Sequence, residues 1–351
     1  MHLQSEVSFI QHTASRAGER LAFAAVLKEV TDRQSALPAL LAEVQRLRGR
    51  GYVFSGDLEL RHREAVAQCA KAADTARKEG ALAAQQLRGR VDALGRDARK
   101  LGGVSVLSAE RQIESAAQEA RSVDSALDGA ERRARESIGG FLFLVDDLKD
   151  QLERLHWSLD QFEAGSFKLQ PEENPLYAVK CTWEDAPQGK KEGVLLLTDH
   201  RVRFEAQEEV VLERTLLFFA SKTEWRKALV LDQPLGHLTS STDSERGLLM
   251  KDQLLTLTFT PGKGAPERCT LELDNATAKV LDGFVEQLRK GNLERSRYQG
   301  PMPEGSLVGV PVRWPEKCSE CGAGLKPPVK GQTTLQCEYC KAHHDVVLGQ
   351  G

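Results

Sequence analysis

A run of 132 residues without proline, from Ala39 to Gln170, is the strongest constraint on how this chain folds. Proline inside a helix costs about 3 kcal/mol. All thirteen prolines lie outside the run, one at Pro38 and twelve from Pro171 onward. The run is rich in Ala, Leu, Arg, Glu and Gln, side chains that lose little rotamer freedom in a helix. It reads as long helices, and Pro38 is expected to break or kink the segment before it. After Pro171 the residue types change: β-branched residues and period-two patterns take over as far as about Asp274. A second change, from Gly291 to Pro315, carries four prolines among several glycines.

The clearest helical pattern places apolar residues at Ile113, Ala116, Ala120, Val123, Leu127, Ala130, Ala134, Ile138, Phe141, Val145, Leu148, Leu152, Leu155, Leu159 and Phe162. Steps of three and four alternate, which keeps one seam facing a partner helix in a left-handed supercoil. An extra step of four, from Ala134 to Ile138, predicts local unwinding next to Gly139-Gly140. A second helix is predicted from Asp57 to Leu101, with Cys69, Ala72, Ala76, Ala83, Leu87, Val91, Leu94, Ala98 and Leu101 on one face. A first segment, Leu3 to Arg50, shows Val7, Ile10, Ala14, Ala17 and Leu21 in the same spacing. These make an N-terminal antiparallel helical coiled coil, closed within one chain or forming a homo-oligomer through its helices.

From Tyr177 the pattern is that of strands. Val202 and Phe204 face one way, and Arg201, Arg203 and Glu205 alternate with them and face the other. Leu255, Leu257 and Phe259 alternate with threonines, and Cys269, Leu271 and Leu273 share one register. Cys181 and Cys269 read as small buried apolar residues. One amphipathic helix follows, with Asn275 as N-cap, Ala278, Leu281, Phe284 and Leu288 inward, and Gly291 at the C-terminal end. The stretch from Gly193 to Phe204, the stretch from Gly247 to Phe259 and the closing helix together resemble GRAM and pleckstrin-homology-like (PH-like) domains, over about 173–292. The resemblance implies an antiparallel β-barrel capped by its C-terminal helix, and a role in binding lipids, peptides or other domains. Lipid-binding members use basic residues of the first strand-to-strand loop. Lys180, Lys190 and Lys191 are the candidates for lipid or anion contact, with Glu184, Asp185 and Glu192 among them to offset the charge.

Three cysteines are scattered over the first 317 residues and four fall in the last 34. The four are Cys318 and Cys321, then fifteen residues, then Cys337 and Cys340. Cysteines at i and i+3 let a tight turn aim two thiolates at one ion. Two such turns supply the four soft ligands of the tetrahedron that Zn²⁺ prefers, which makes one closed structural site. Redox CxxC pairs or a disulfide framework are the alternatives. The tail resembles a zinc ribbon over about 312–347, with Gly322 after the first knuckle and Lys341 where the second commonly has glycine. A short strand is predicted at Thr333 to Gln336, and His343 and His344 are placed outside the ligand shell. Without an adequate apolar core, such a segment depends on its metal to fold.

Charge excludes some functions. The chain carries 48 basic and 51 acidic side chains, and the balance holds module by module: 24 and 25 over 1–165, 19 and 21 over 166–300, 5 and 5 over 301–351. Nucleic acid is therefore an unfavoured partner. There is no Walker A loop, GxGxxG after a strand, GxSxG elbow or HExxH. Asp199-His200 reads as a surface turn pair, and His156 and Trp157 as helix-flank residues. No N-terminal basic stretch leads into an apolar run, and the best apolar segment, Phe141 to Val145, stops at Asp146. The Ala/Arg-rich composition fits a bacterial source.

The expectation is an α+β multidomain protein: helical module 1–168, PH/GRAM-like domain 173–292, linker 293–311, zinc ribbon 312–351. It is expected to be a cytoplasmic, non-enzymatic adaptor or scaffold that assembles protein partners. One alternative is a peripheral membrane-associated protein whose PH/GRAM-like domain contacts lipid and whose helices oligomerise. The other is a nucleic-acid-binding regulator that uses the ribbon.

Overall fold

The computed structural model describes residues 2–102, 109–170, 173–215, 219–247, 251–262, 266–274, 276–300, 312–328, 332 and 334–348. Two compact units are present: Met1–Val44 with Leu58–Leu152, and Gln45–Asp57 with Glu153–Gly351.

Four helices supply the first unit: α1 His2–Arg20, α2 Ala24–Gly49, α3 Leu58–Leu101 and α4 Glu110–Glu163, the last turns of α2 and α4 belonging to the second unit. All fifteen residues of the predicted seam on α4 are buried within the single chain. So are the nine named on α3, where Leu58, His62, Ala65 and Gly80 extend the same face. Ile10 and Ala17 of α1 pack with Leu87, Val91 and Leu94 of α3 and with Ile113, Ala120 and Val123 of α4. Ion pairs flank the apolar contact. The Arg20 guanidinium meets Asp124, Asp128 and Glu131 of α4 at 2.7, 2.5 and 2.8 Å, and Arg90 of α3 meets Glu119 at 2.8 Å. An exposed pair such as Arg90–Glu119 contributes about 0–1 kcal/mol, so it sets helix register more than stability.

The expected position of the break in the first helical segment needs correction. Pro38 does not break its helix; it lies inside α2. Burial of Leu37 and Leu40 on either side outweighs its cost, and His62 Nε2 of α3 donates to the Leu37 carbonyl at 2.9 Å. The break comes earlier, at Leu21–Phe23, where Phe23 takes a left-handed φ of 53° and buries its ring. That ring lies over Gly80 of α3, where a Cβ would come within 3.1 Å of it. At Gly139-Gly140, next to the predicted stutter, α4 runs on as one helix from Glu110 to Glu163.

The second unit is built on one seven-stranded antiparallel sheet. Its strands are β1 Pro175–Trp183, β2 Lys191–Thr198, β3 Arg201–Thr215, β4 Phe219–Pro234, β5 Leu238–Arg246, β6 Asp252–Phe259 and β7 Arg268–Leu273, in the order β4-β3-β2-β1-β7-β6-β5. β1 joins the two halves. It pairs with β2 along its length (Val179 opposite Leu195) and with β7 only at Cys181–Trp183. On one face Trp183, Cys181, Phe204, Leu255, Leu257, Phe259, Cys269 and Leu271 are buried, Trp183 and Phe204 edge to face at 5.6 Å. At Gly193 a Cβ would lie 2.2 Å from the Glu205 carbonyl oxygen, so only glycine allows β2 and β3 to approach there. Helix α5, Ala278–Arg289, follows β7 and buries Ala278, Leu281, Val285 and Leu288. Phe284, expected inward, is half-buried against the Tyr177 ring at 5.7 Å. Thr277 stands at the N-cap, and Asn275 lies outside the described residues. Gly291, with φ 71°, ends the helix as expected.

The charged face of β3 does not meet solvent. Phe162 of α4 and the following Phe167 and Leu169 pack on Ala178, Val194 and Leu196, covering the other side of β1 and β2. The unbroken apolar run Val194–Leu197 is the sequence signal of a strand buried on both faces. Arg203, 2% exposed, therefore pairs in the interior with Glu173, whose second carboxylate oxygen accepts Arg203 Nη2 at 2.9 Å. Glu173 also accepts from Thr198 Oγ1 at 2.6 Å and from the Gln170 amide at 3.0 Å, and the Phe167 ring lies 4.8 Å from the guanidinium carbon. Glu205 accepts the Ser166 amide at 2.5 Å.

Asp199, expected in a surface turn, is also buried. It accepts from the Asn174 amide and side chain at 2.9 Å each, from His200 Nδ1 at 2.7 Å and from Arg297 Nη2 at 2.6 Å. Burial alone would raise its pKa; the bonds from His200 and Asn174 more than offset this and hold the carboxyl below the usual range. Nearby, Arg48 donates to the carbonyls of Tyr52, Phe54 and Ser55 and stacks on the Tyr298 ring at 4.3 Å. Residues 296–298, within the stretch expected as a linker, dock on this loop through Gly56 N to Ser296 O and Tyr298 N to Val53 O.

Candidate metal centre

Two turns in the tail repeat each other residue for residue. In the first, the Gly322 amide donates to the Cys318 carbonyl at 2.9 Å and the Cys318 amide to the Ala323 carbonyl at 2.8 Å. In the second, the Lys341 amide donates to Cys337 at 3.0 Å and the Cys337 amide to Ala342 at 2.9 Å. Each turn needs a left-handed residue after its second cysteine. Gly322 supplies φ 75°, and Lys341 supplies φ 64° in the place where glycine would be unstrained. Left-handed backbone costs an ordinary side chain about 1 kcal/mol. Because folding and metal binding are coupled in so small a segment, Lys341→Gly should raise zinc affinity roughly five-fold, read by competition with a chromogenic chelator.

The four sulfurs lie within 4.8 Å of one another, with Cys318 to Cys340 at 3.5 Å and Cys321 to Cys337 at 3.6 Å. A tetrahedral Zn²⁺ with Zn–S near 2.3 Å needs sulfurs about 3.8 Å apart. A disulfide needs about 2.05 Å, and all four cysteines are free. Four thiols this close share their protons. Amides of Cys340 and Tyr339 draw the Cys337 thiol down to about 6. Cys340 is pushed up to about 12: the Ala342 amide opposes the rise, and hydrogen bonds to the other thiols, Cys318 first, outweigh it. A single bound cation is what lets all four ionise together. The donor set fits zinc, and a ring of four thiolates leaves no open coordination position.

Around the sulfurs the segment has little else. Strand β8 (Val312–Arg313) pairs with β11 (Val347–Leu348), and β9 (Thr334–Gln336) pairs with β10 (His343–Asp345). Thr333, expected to open β9, lies outside the described residues. Among the described side chains of 314–346, only Cys318, Leu335, Cys337 and His344 are buried. His344, placed outside the ligand shell in the sequence, lies beside it: its Nε2 is 3.2 Å from Cys318 Sγ. The signal was the alternation of β10, which turns His343 out and His344 in.

The three lysines are not brought together. Lys190 Nζ pairs with Glu184 at 2.7 Å and Lys191 Nζ with Glu208 at 2.9 Å. Lys180 is exposed and, by register, lies on the opposite face of the β1–β2 pair from Lys191, which stands across from Trp183. It lines a shallow cleft with Arg154, Trp157, Tyr177 and Asp274. Burial raises the Tyr177 hydroxyl pKa there, and Arg154 opposes the rise.

No family model matches the chain, and no curated protein matches it. Solved structures similar to it include the Vps36 N-terminal PH domain, at 16% identity over 36% of this chain and 86% of that one, with TM-score 0.23. The hSac2 domain of the human phosphoinositide phosphatase Sac2 is 14% identical over 42% and 83%, with TM-score 0.24. The DH/PH domain of human ARHGEF11, in a complex with human RhoA and its inhibitor, is 12% identical over 82% and 92%, with TM-score 0.26. Strand order and register, rather than likenesses this distant, define the fold: a large antiparallel sheet followed by one helix, compatible with a PH-like domain.

Proposed function

We propose that this chain is a non-enzymatic, zinc-dependent adaptor that holds protein partners on a PH-like barrel and a zinc ribbon. The closed four-cysteine cluster carries the reading, because four thiolates leave the metal no position for substrate or water. Its work is then to give a small surface a fixed shape. The sheet order, with β1 shared by both halves and α5 after β7, supports a barrel capped by its helix. The helical unit, its apolar seam consumed within one chain, acts as a coiled-coil spacer. Among the described residues no helix is long and apolar enough to cross a membrane. Pairing of Lys190 and Lys191 with carboxylates favours protein over lipid on the barrel. A cytoplasmic location, where thiols stay reduced, suits the free cysteines.

The test is an affinity capture from native lysate, comparing the full chain with one ending at Gln299, beside co-sedimentation with phosphatidylserine vesicles. The expected result is a protein retained at moderate salt by the full chain and lost from the shorter one, with no vesicle binding. Salt-sensitive vesicle binding without a specific protein would replace this reading with the lipid-contacting one.

A further inference from the structure

The two metal-binding turns match in backbone but not in what approaches their sulfurs. Seven residues after its first cysteine, the second turn has His344; the first turn has Leu325 at the same offset. Leu325 has no side-chain N–H to offer. His344 is 8% exposed, held on β10 opposite the buried Leu335, and directs Nε2 at Cys318 Sγ from 3.2 Å. The four ligands also differ in access: Cys318 and Cys337 are buried, Cys321 and Cys340 exposed.

We propose that His344 caps the Cys318 sulfur, donating Nε2–H to the metal-bound thiolate and confining chemical attack on the centre to its Cys321 and Cys340 side. A zinc-bound thiolate keeps lone pairs, and these are what an electrophile or a competing proton takes. An N–H bond engages one of them and disperses the negative charge that four thiolates place on one divalent ion. Cys318 is thereby the protected sulfur, and the exposed pair is where the centre opens. His344 is a positioning residue; the metal keeps four sulfur ligands.

The inference rests on the metal reading above, and the test separates the two. Full chain is loaded with Zn²⁺ and, in parallel, with Co²⁺; a wild-type chain that takes up neither ends the metal reading before any variant is made. Variants His344→Leu, His344→Gln and His343→Leu follow. Loss of an outer hydrogen-bond partner commonly costs 10–100-fold in metal affinity. His344→Leu should therefore release zinc to a chelator about 10-fold faster than wild type. Its sulfur-to-cobalt charge-transfer band should move to lower energy, because an uncapped thiolate gives up its electrons more readily. With iodoacetamide, sulfur forms the S–C bond as iodide leaves; wild type should label first at Cys321 and Cys340, and the Leu variant at Cys318 as well. His344→Gln, which retains a side-chain N–H, should restore the release rate and the band, and His343→Leu should behave as wild type. Equal behaviour of the Leu and Gln variants, folded or not, overturns the proposal. So does early labelling of Cys318 in wild type.

Discussion

Replacing Cys318 and Cys321 together with serine should abolish zinc uptake and unfold residues 312–348 while leaving the seven-stranded sheet folded. Only four described side chains in 314–346 are buried, and two of them belong to the cysteine cluster. So little apolar surface is buried there that the remaining contacts cannot offset the conformational entropy lost on ordering the segment. In segments of this kind metal binding and folding are one event, so losing the metal loses the fold. Metal analysis should fall from one zinc per chain to none. Amide exchange in the tail should rise to the rate of an unfolded peptide, with β1–β3 protection unchanged. A tail that stays protected without metal, or a sheet that melts with it, would refute the argument.

The second large effect concerns the pair beneath β3. Glu173 is fully buried and Arg203 nearly so, and Glu173→Ala would strip the carboxylate from both Nη atoms of the guanidinium, leaving only the Asp232 carboxylate beside its Nε. Breaking a buried pair from one side costs about 3–5 kcal/mol, a large part of the 5–15 kcal/mol that folds a typical domain. The double variant Glu173→Met, Arg203→Met should recover most of that loss, since removing both charges removes the desolvation cost with the attraction. Amide exchange of β2 and β3 under mild urea reads the local free energy without assuming that the whole chain unfolds at once. A single-variant loss below about 1 kcal/mol would mean that water, or the carboxylate already beside Nε, suffices for the guanidinium. Asp232, whose Oδ1 lies 3.1 Å from Arg203 Nε, is the first to examine.

Three features were legible in the residues alone, each because local chemistry decides it. The seam of α4 follows from spacing, since an apolar repeat near 3.5 leaves a helix one face to bury. The four-cysteine cluster follows from two CxxC turns, whose geometry needs only six or so residues each. The strands around Leu255, Leu257 and Phe259 follow from alternation with threonine.

What tertiary structure decided lies where an element's surroundings outweigh its own pattern. Pro38 belongs inside a helix because Leu37 and Leu40 are buried there, and the chain turns at Phe23 because its ring finds Gly80, 57 positions away. Arg203 and Glu205 look like the wet face of a strand until Phe162, Phe167 and Leu169 arrive to cover it. His344 looks dispensable beside four cysteines until β10 is paired with β9 and turns its ring toward Cys318. Helical period, turn chemistry and ligand spacing act over a few residues and can be read along the chain. A charge's solvent, a proline's tolerance and a histidine's partner are set by contacts distant in sequence, so they appear only once the fold has brought those residues together.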